Sequence, residues 1–360
     1  MQKNRIESID SFRAIAILMV ITFHFFSRWT TLYPYHNTYD FFGYGKFGVH
    51  FFFMISGFVI FFTLEKTLAF KQFWINRFIR LFPSMLFASV LTYLFFTLFD
   101  TYLLFPTSHS FKNIIVSLTF VQPDLISSLT RYQFDLDYIS GSYWSLWVEI
   151  QFYLLASLLY FLCSKRFYSY FFLTATLLVT ANFLLSHCYV DFWLIEKLKS
   201  LRSIFNLISA LPFFCLGSIF FIFYKNNYEK QKNSIFIQVY FLVFVGFLFF
   251  NNYQDVKLLG LILLFILLFF FMIYHPKFIS FLNTKFLNTI GISSYFLYLI
   301  HENIGVFLIH DNQFTPQSLS FLQPIIVILI LIGISILFTR YIERYIISNL
   351  KALFKKTAIK

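Results

Sequence analysis

The sequence predicts an all-α, polytopic bundle of about ten transmembrane helices with both termini in the cytoplasm. Three observations predict it. Of 360 residues, 59% are hydrophobic and only 12% are charged, whereas a water-soluble globular chain is about a quarter charged. Phe alone supplies 57 residues, far beyond what one aqueous core buries, and the mean hydropathy is +0.73. Apolar windows of about 20 residues, the length that crosses a bilayer, recur along the chain. The net charge of +12 could suggest a nucleic-acid partner. No basic domain is present to hold one, so none is expected, and the positive-inside effect explains the charge better.

The windows fall at roughly 11–29, 47–64, 79–99, 143–162, 168–187, 203–224, 234–251, 258–274, 290–309 and 322–342. With the N-terminus inside, 19 Lys and Arg lie on the cytoplasmic side, from Lys3 and Arg5 to the tail ending at Lys360. Eight lie outside, among them Arg28, Lys46, Lys112, Lys199 and Arg202, and the intramembrane Arg13 completes the 28. An even number of spans returns the C-terminus to the cytoplasm. The expected organisation is one integral-membrane domain over 1–345 and a short basic tail over 346–360. Cys163, Cys188 and Cys215 are scattered, with no disulfide framework or metal-ligand spacing, and no metal is expected.

The first span carries Arg13 near its start and His24 near its end. Eleven residues at about 100° each return to within about 20° of one face, so both side chains lie on one stripe, roughly 16 Å apart along the axis. Ionisable groups inside a span are costly unless they face protein or water. Arg13 interrupts the apolar run and no small-residue cleavage site follows His24, so this is read as an uncleaved span rather than a signal peptide. Asp10, three residues before Arg13, is a candidate partner.

The second span opens Phe47-Gly48-Val49-His50 and contains Ser56-Gly57, small residues that let helix backbones approach closely in lipid. His50 receives no role. The stretch Phe73 to Pro83 is expected as a cytoplasmic turn in which Arg77 and Arg80, three apart, are helical neighbours. Two guanidinium groups held together suit phosphates, and ordinary positive-inside charge is the plainer reading. The loop at about 100–142 is long enough to be functional. In the fourth span, Trp144 and Trp147 suit an interfacial belt, whereas Glu149, on the same face as Ser145, needs a partner. The sixth carries Pro212 and Gly217. In the ninth, Ser294, Tyr298 and His301 form an i, i+4, i+7 stripe. His301 and Glu302 either reach an interior cavity or cap helix–helix contacts.

Together these stretches resemble the membrane-bound acyltransferase-3 family, over nearly the whole chain from Arg5 to about Glu343. Arg13 and His24 match its first-helix pattern, and Phe47 to Phe58 its second-helix signature. Arg77 and Arg80 match its Arg-x-x-Arg pair, Trp144-Ser145-Leu146 with Glu149 its Trp-Ser-Leu block, and Ser294 to His301 its late Tyr-Leu-x-His block. Ser11 departs, standing where the family often has Gly, and so does His50. No hydrolase-like domain is fused at the end, so any such function is expected to be absent or supplied by another chain.

The resemblance implies O-acetyltransfer from cytoplasmic acetyl-CoA (acyl-CoA) to a hydroxyl of a cell-surface or exported carbohydrate. It places the protein as a multi-pass component of a bacterial cytoplasmic membrane. In this reading His24 is the general base or an acyl carrier. Arg13 and Glu149 complete the catalytic set, with Glu149 orienting His24 or pairing with Arg13. Arg77 and Arg80 hold the coenzyme phosphates, and Asp10, Ser56, Trp144, Ser145, Tyr298 and His301 line the cavity. The competing class is a transporter or flippase of a lipid-linked sugar, which also fits ten spans with buried His, Glu and Arg. Against it, the hydropathy offers no paired broken helices in two halves.

Overall fold

The computed structural model describes residues 6–33, 40–131, 135–186, 193–311 and 320–357. Lys3, Arg5, Cys188 and Lys360 lie outside the described residues. In chain order the longer helices are α1 (Glu7–Phe23), α2 (Gly48–Leu64), α3 (Phe70–Phe99), α4 (Phe111–Thr119), α5 (Pro123–Leu129), α6 (Trp144–Leu162), α7 (Phe167–Ser186) and α8 (Trp193–Ile204). There follow α9 (Leu207–Tyr228), α10 (Ile235–Asn251), α11 (Val256–Tyr274), α12 (Lys285–Ile300), α13 (Glu302–Asp311), α14 (Leu322–Leu337) and α15 (Arg344–Thr357). No strand occurs among the described residues, as expected of a chain that must satisfy its backbone polar groups within each segment in lipid.

Eight helical segments are long and apolar enough to cross a membrane, and a ninth is formed if α12 and α13 count as one broken span. The remaining expected window, 234–251, corresponds to α10, a shorter apolar helix. Two expectations change. The window 290–309 is not continuous: α12 and α13 meet at His301 with a 72° bend. There the His301 ring reaches into the helical ladder, its Nδ1 2.7 Å from the Tyr298 carbonyl, one of the recognised causes of a kink. The expected turn at 73–83 is the first part of α3, a continuous 30-residue helix with Pro83 inside it. Proline in a membrane helix is tolerated where neighbours take up freed backbone groups, and Tyr295 donates to the nearby Leu81 carbonyl at 3.2 Å.

The chain packs into two compact units, each discontinuous in sequence. Met1–Val49, Trp74–Ser145 and Thr284–Lys360 form the first. Its axis is the crossing of α1 over α12. Ser11 donates to Asn288 Oδ1 at 2.8 Å, and a Cβ added at Gly291 would collide with the Asp10 carbonyl. Gly45 and Gly48 come equally close to the α1 backbone at Met19 and Ala16. Burial of apolar surface does not drive helices together in lipid, so such close approaches carry the packing. Gly291→Val is therefore expected to cost roughly 1–3 kcal/mol or more through overpacking. The monodisperse peak in detergent size-exclusion chromatography should be lost, and a wild-type elution and melting profile would contradict this crossing.

The described residues of 100–131 and 135–142 in this unit are folded onto one another rather than forming an open loop. Asp100 accepts from the backbone N–H groups of Leu104 and Phe105 and sits 3.0 Å from His109 Nε2. Burial opposes its charge, but these bonds outweigh it and hold its carboxyl below the usual carboxylate range. Residues 137–139 are stitched to α4: the Asp137 N–H donates to Asn113 Oδ1 and the Ile139 N–H to Ser117 Oγ. Burial pushes the Asp137 carboxyl up.

His50–Phe73 and Leu146–Asn283 form the second unit. Here α2 and α9 cross at Gly57 and Gly217, where a Cβ on either would strike the partner's backbone at Phe214 or Met54. Stacked phenylalanines fill the surrounding core, including Phe152 on Phe214 at 4.1 Å and Phe51 on Phe265 at 4.3 Å.

Candidate active site

His24 stands where α1 gives way to a π-helical turn over His24–Arg28. Such turns widen the ladder and are frequent at functional sites. The Tyr33 hydroxyl donates to the His24 carbonyl and accepts from the Trp29 N–H, so the loosened backbone is held. The bend after α12 delivers the other half. His24 Nδ1 lies 3.3 Å from Glu302 Oε1, and the His24 and His301 rings meet edge to face at 5.0 Å. Gly141 leaves room for the carboxylate, since a Cβ there would sit 3.3 Å from Glu302 Oε2. Gly305 likewise makes way for Phe25, whose ring packs where a side chain would be.

The two imidazoles are held differently. A carbonyl only accepts, so His301 donates from Nδ1 to Tyr298 and its neutral ring keeps a lone pair on Nε2. That atom makes no hydrogen bond to any described residue. Glu302 Oε1 faces Nδ1 of His24 at 3.3 Å as an electrostatic contact that is not aligned as a hydrogen bond, and a carboxylate there favours a proton on Nδ1 and leaves Nε2 as the basic nitrogen. His301 is fully buried, whereas 13% of the His24 side chain is exposed. Of the two bases, His24 is the one a substrate can reach.

Polar side chains brace this centre. Tyr298 donates to the Ser142 carbonyl at 2.7 Å, and Ser145 Oγ lies 2.7 Å from the Tyr298 hydroxyl. Asn303 donates to Ser108 Oγ at 2.8 Å and to the Ile139 carbonyl, and accepts from Ser140. Ser108, Ile139 and Ser140 are thus tied to the helix that carries Glu302. Arg13 is paired with Asp10 at 3.4 Å on α1.

Of the expected residues, the first unit holds His24, Arg13, Asp10, Arg77, Arg80, Trp144, Ser145, Tyr298 and His301; His301 lies against His24 and Tyr298, Ser145 bonds to Tyr298, and Arg13 pairs with Asp10. Glu149 was expected to orient His24 or pair with Arg13. Glu149 belongs to the second unit, where Ser56 donates to it at 2.5 Å; within the first unit the carboxylate beside His24 is Glu302. Trp144 is 43% exposed, as an interfacial residue would be. Arg77 is half-buried and Arg80 exposed on the same stretch of α3. His50 packs its ring against Phe213 at 4.6 Å in the second unit. Among the described residues no three His, Cys, Asp or Glu side chains are grouped to hold a metal. Asn303, Ser140 and Ser142 were not anticipated. The signal for Asn303 was the run His301-Glu302-Asn303 inside an apolar segment, where each polar group needs a partner.

A family model described as an acyltransferase domain, that of acyltransferase-3, matches residues 6–340. The chain belongs to the acyltransferase-3 family. It is an acyltransferase, and its apolar helices make it a multi-pass membrane protein. No curated protein and no solved structure matches it significantly. Among the side chains described above, the His24–Glu302 pair is the arrangement that can move a proton.

Proposed function

We propose that this acyltransferase moves an acetyl group from cytoplasmic acetyl-CoA to a hydroxyl of a cell-surface or exported carbohydrate, in a bacterial cytoplasmic membrane with both termini inside. The observation that carries the reading is the contact between Glu302 and Nδ1 of a partly accessible His24. In this mechanism Nε2 of His24 takes the acceptor hydroxyl's proton as that oxygen bonds to the thioester carbonyl carbon. The C–S bond then breaks, and the proton passes to the departing thiolate to give free coenzyme A. Glu302 fixes the tautomer and stabilises the imidazolium, the role a carboxylate plays in a Ser-His-Asp triad. A relay in which Nε2 itself carries the acetyl group uses the same atom. Arg13, held by Asp10, would set the charge along the α1 stripe.

Arg77 and Arg80, three apart on α3, would grip the coenzyme phosphates. Arg77→Ala/Arg80→Ala is expected to weaken acetyl-CoA binding about tenfold or more while leaving the protein inserted. Scintillation-proximity binding with radiolabelled acetyl-CoA measures it, and unchanged affinity would remove the pair from the donor site. The broken α12–α13 span is the one observation that favours a transporter. Transporters place such breaks in both halves of an internal repeat, and among the described residues only this one bent pair occurs.

A further inference from the structure

The second unit contains a cleft that acyl transfer leaves unexplained. It measures about 520 Å³, within the range of small-molecule sites, and lies against the apolar flank of α6 and α7, walled by Leu154, Leu158 and Leu178. At one end it runs into a polar pocket of about 590 Å³, the two sharing Asn182, Leu185, Arg202 and Phe205, with Lys199 added on the polar side.

Inside the apolar part sits Gln151, only 7% exposed. Its Oε1 accepts from the Leu207 N–H, which identifies the other terminal atom as the amide nitrogen. That Nε2 has no hydrogen-bond partner among the described residues, and neither has the buried Oδ1 of Asn182 on the facing wall. A buried donor left unmatched costs about 1–3 kcal/mol, and an oxygen acceptor in the cleft would satisfy it. The rim supplies two cations, Lys199 and Arg202, the latter donating to Ser186 Oγ at 2.9 Å. A guanidinium and an ammonium lining one pocket suit a phosphate oxygen.

An apolar trough, an amide donor within it and a dication at its end match one chemistry: hydrocarbon chain, ester oxygen, anionic phosphate. We propose that this cleft is a binding site for an anionic phospholipid, with an acyl chain along α6 and α7, an ester carbonyl on Gln151 and the headgroup phosphate on Lys199 and Arg202. This inference does not rest on the acetyl-transfer reading, and it is tested without acetyl-CoA.

The experiment is native mass spectrometry on the purified, delipidated full chain, titrated separately with dioleoylphosphatidylglycerol, dioleoylglycerol and glycerol 3-phosphate. Wild type is expected to retain one equivalent of phosphatidylglycerol, with the other two probes at least about tenfold weaker. Lys199→Ala/Arg202→Ala should lose about tenfold in affinity for phosphatidylglycerol. Gln151→Leu, which keeps the volume and removes the donor, should weaken it with the rim intact. Monodispersity in size-exclusion chromatography certifies each variant. Equal retention in all three proteins would reduce the lipid to a non-specific annulus and overturn the proposal. Dioleoylglycerol bound as tightly would remove the phosphate contact, and glycerol 3-phosphate bound as tightly would reduce the site to a free-anion pocket; either outcome overturns it too.

Discussion

His24→Ala abolishes acetyl transfer while leaving the protein inserted and monodisperse: that is the largest effect expected of any single substitution. General base catalysis by a positioned imidazole contributes about 10²–10⁴-fold, and here no second base can take over. His301 lies edge to face with His24 at 5.0 Å but is fully buried. Its Nδ1 is committed to the Tyr298 carbonyl, and its side chain has no exposed surface. Acceptor acetylation by membranes expressing the variant is the measurement. A residual rate within tenfold of wild type would mean that the proton leaves by another route.

Glu302→Gln is the second. The amide keeps the size of the carboxylate and its place beside Gly141, so the fold should survive. It no longer selects the Nδ1–H tautomer or offsets the charge on a protonated His24. Loss of the same function from a Ser-His-Asp triad costs about 10⁴-fold in turnover. A fall in kcat of about 10²–10⁴ is expected, with the KM for acetyl-CoA within a few-fold of wild type. Because Glu302 acts through His24, the split between kcat and KM carries the test. A rise in KM at constant kcat would assign the residue to substrate binding, and no change in either would leave His24 unoriented by it.

Much of this arrangement was readable in the chain. Most of the spans follow from apolar length. Ser56-Gly57 marked a close helix crossing, and Gly57 does meet the Phe214 backbone. The pairing of the buried charges was not readable. Glu149 and Glu302 both stand in apolar runs, and helical spacing says only which residues share a face of their own helix. Which carboxylate meets His24 depends on how α12 ends, and that break has neither Pro nor Gly at its hinge. It comes from a histidine side chain entering the ladder, a contact without a local sequence signature. The turn expected at 73–83 is instead continuous with the span that follows it, since α3 begins at Phe70 and runs through Pro83 to Phe99.

The central claim is that this chain consumes acetyl-CoA through His24, and coenzyme A release tests it most directly. Purified wild type and His24→Ala would be reconstituted in proteoliposomes with radiolabelled acetyl-CoA on the Arg77–Arg80 side and an acceptor carbohydrate opposite. The account predicts coenzyme A release and label on the carbohydrate with wild type, and neither with His24→Ala. Release that is equal in the two proteins would contradict the role of His24. Absence of acetyl-CoA consumption by wild type, with lipid-linked sugar crossing the same vesicles, would contradict acetyl transfer itself.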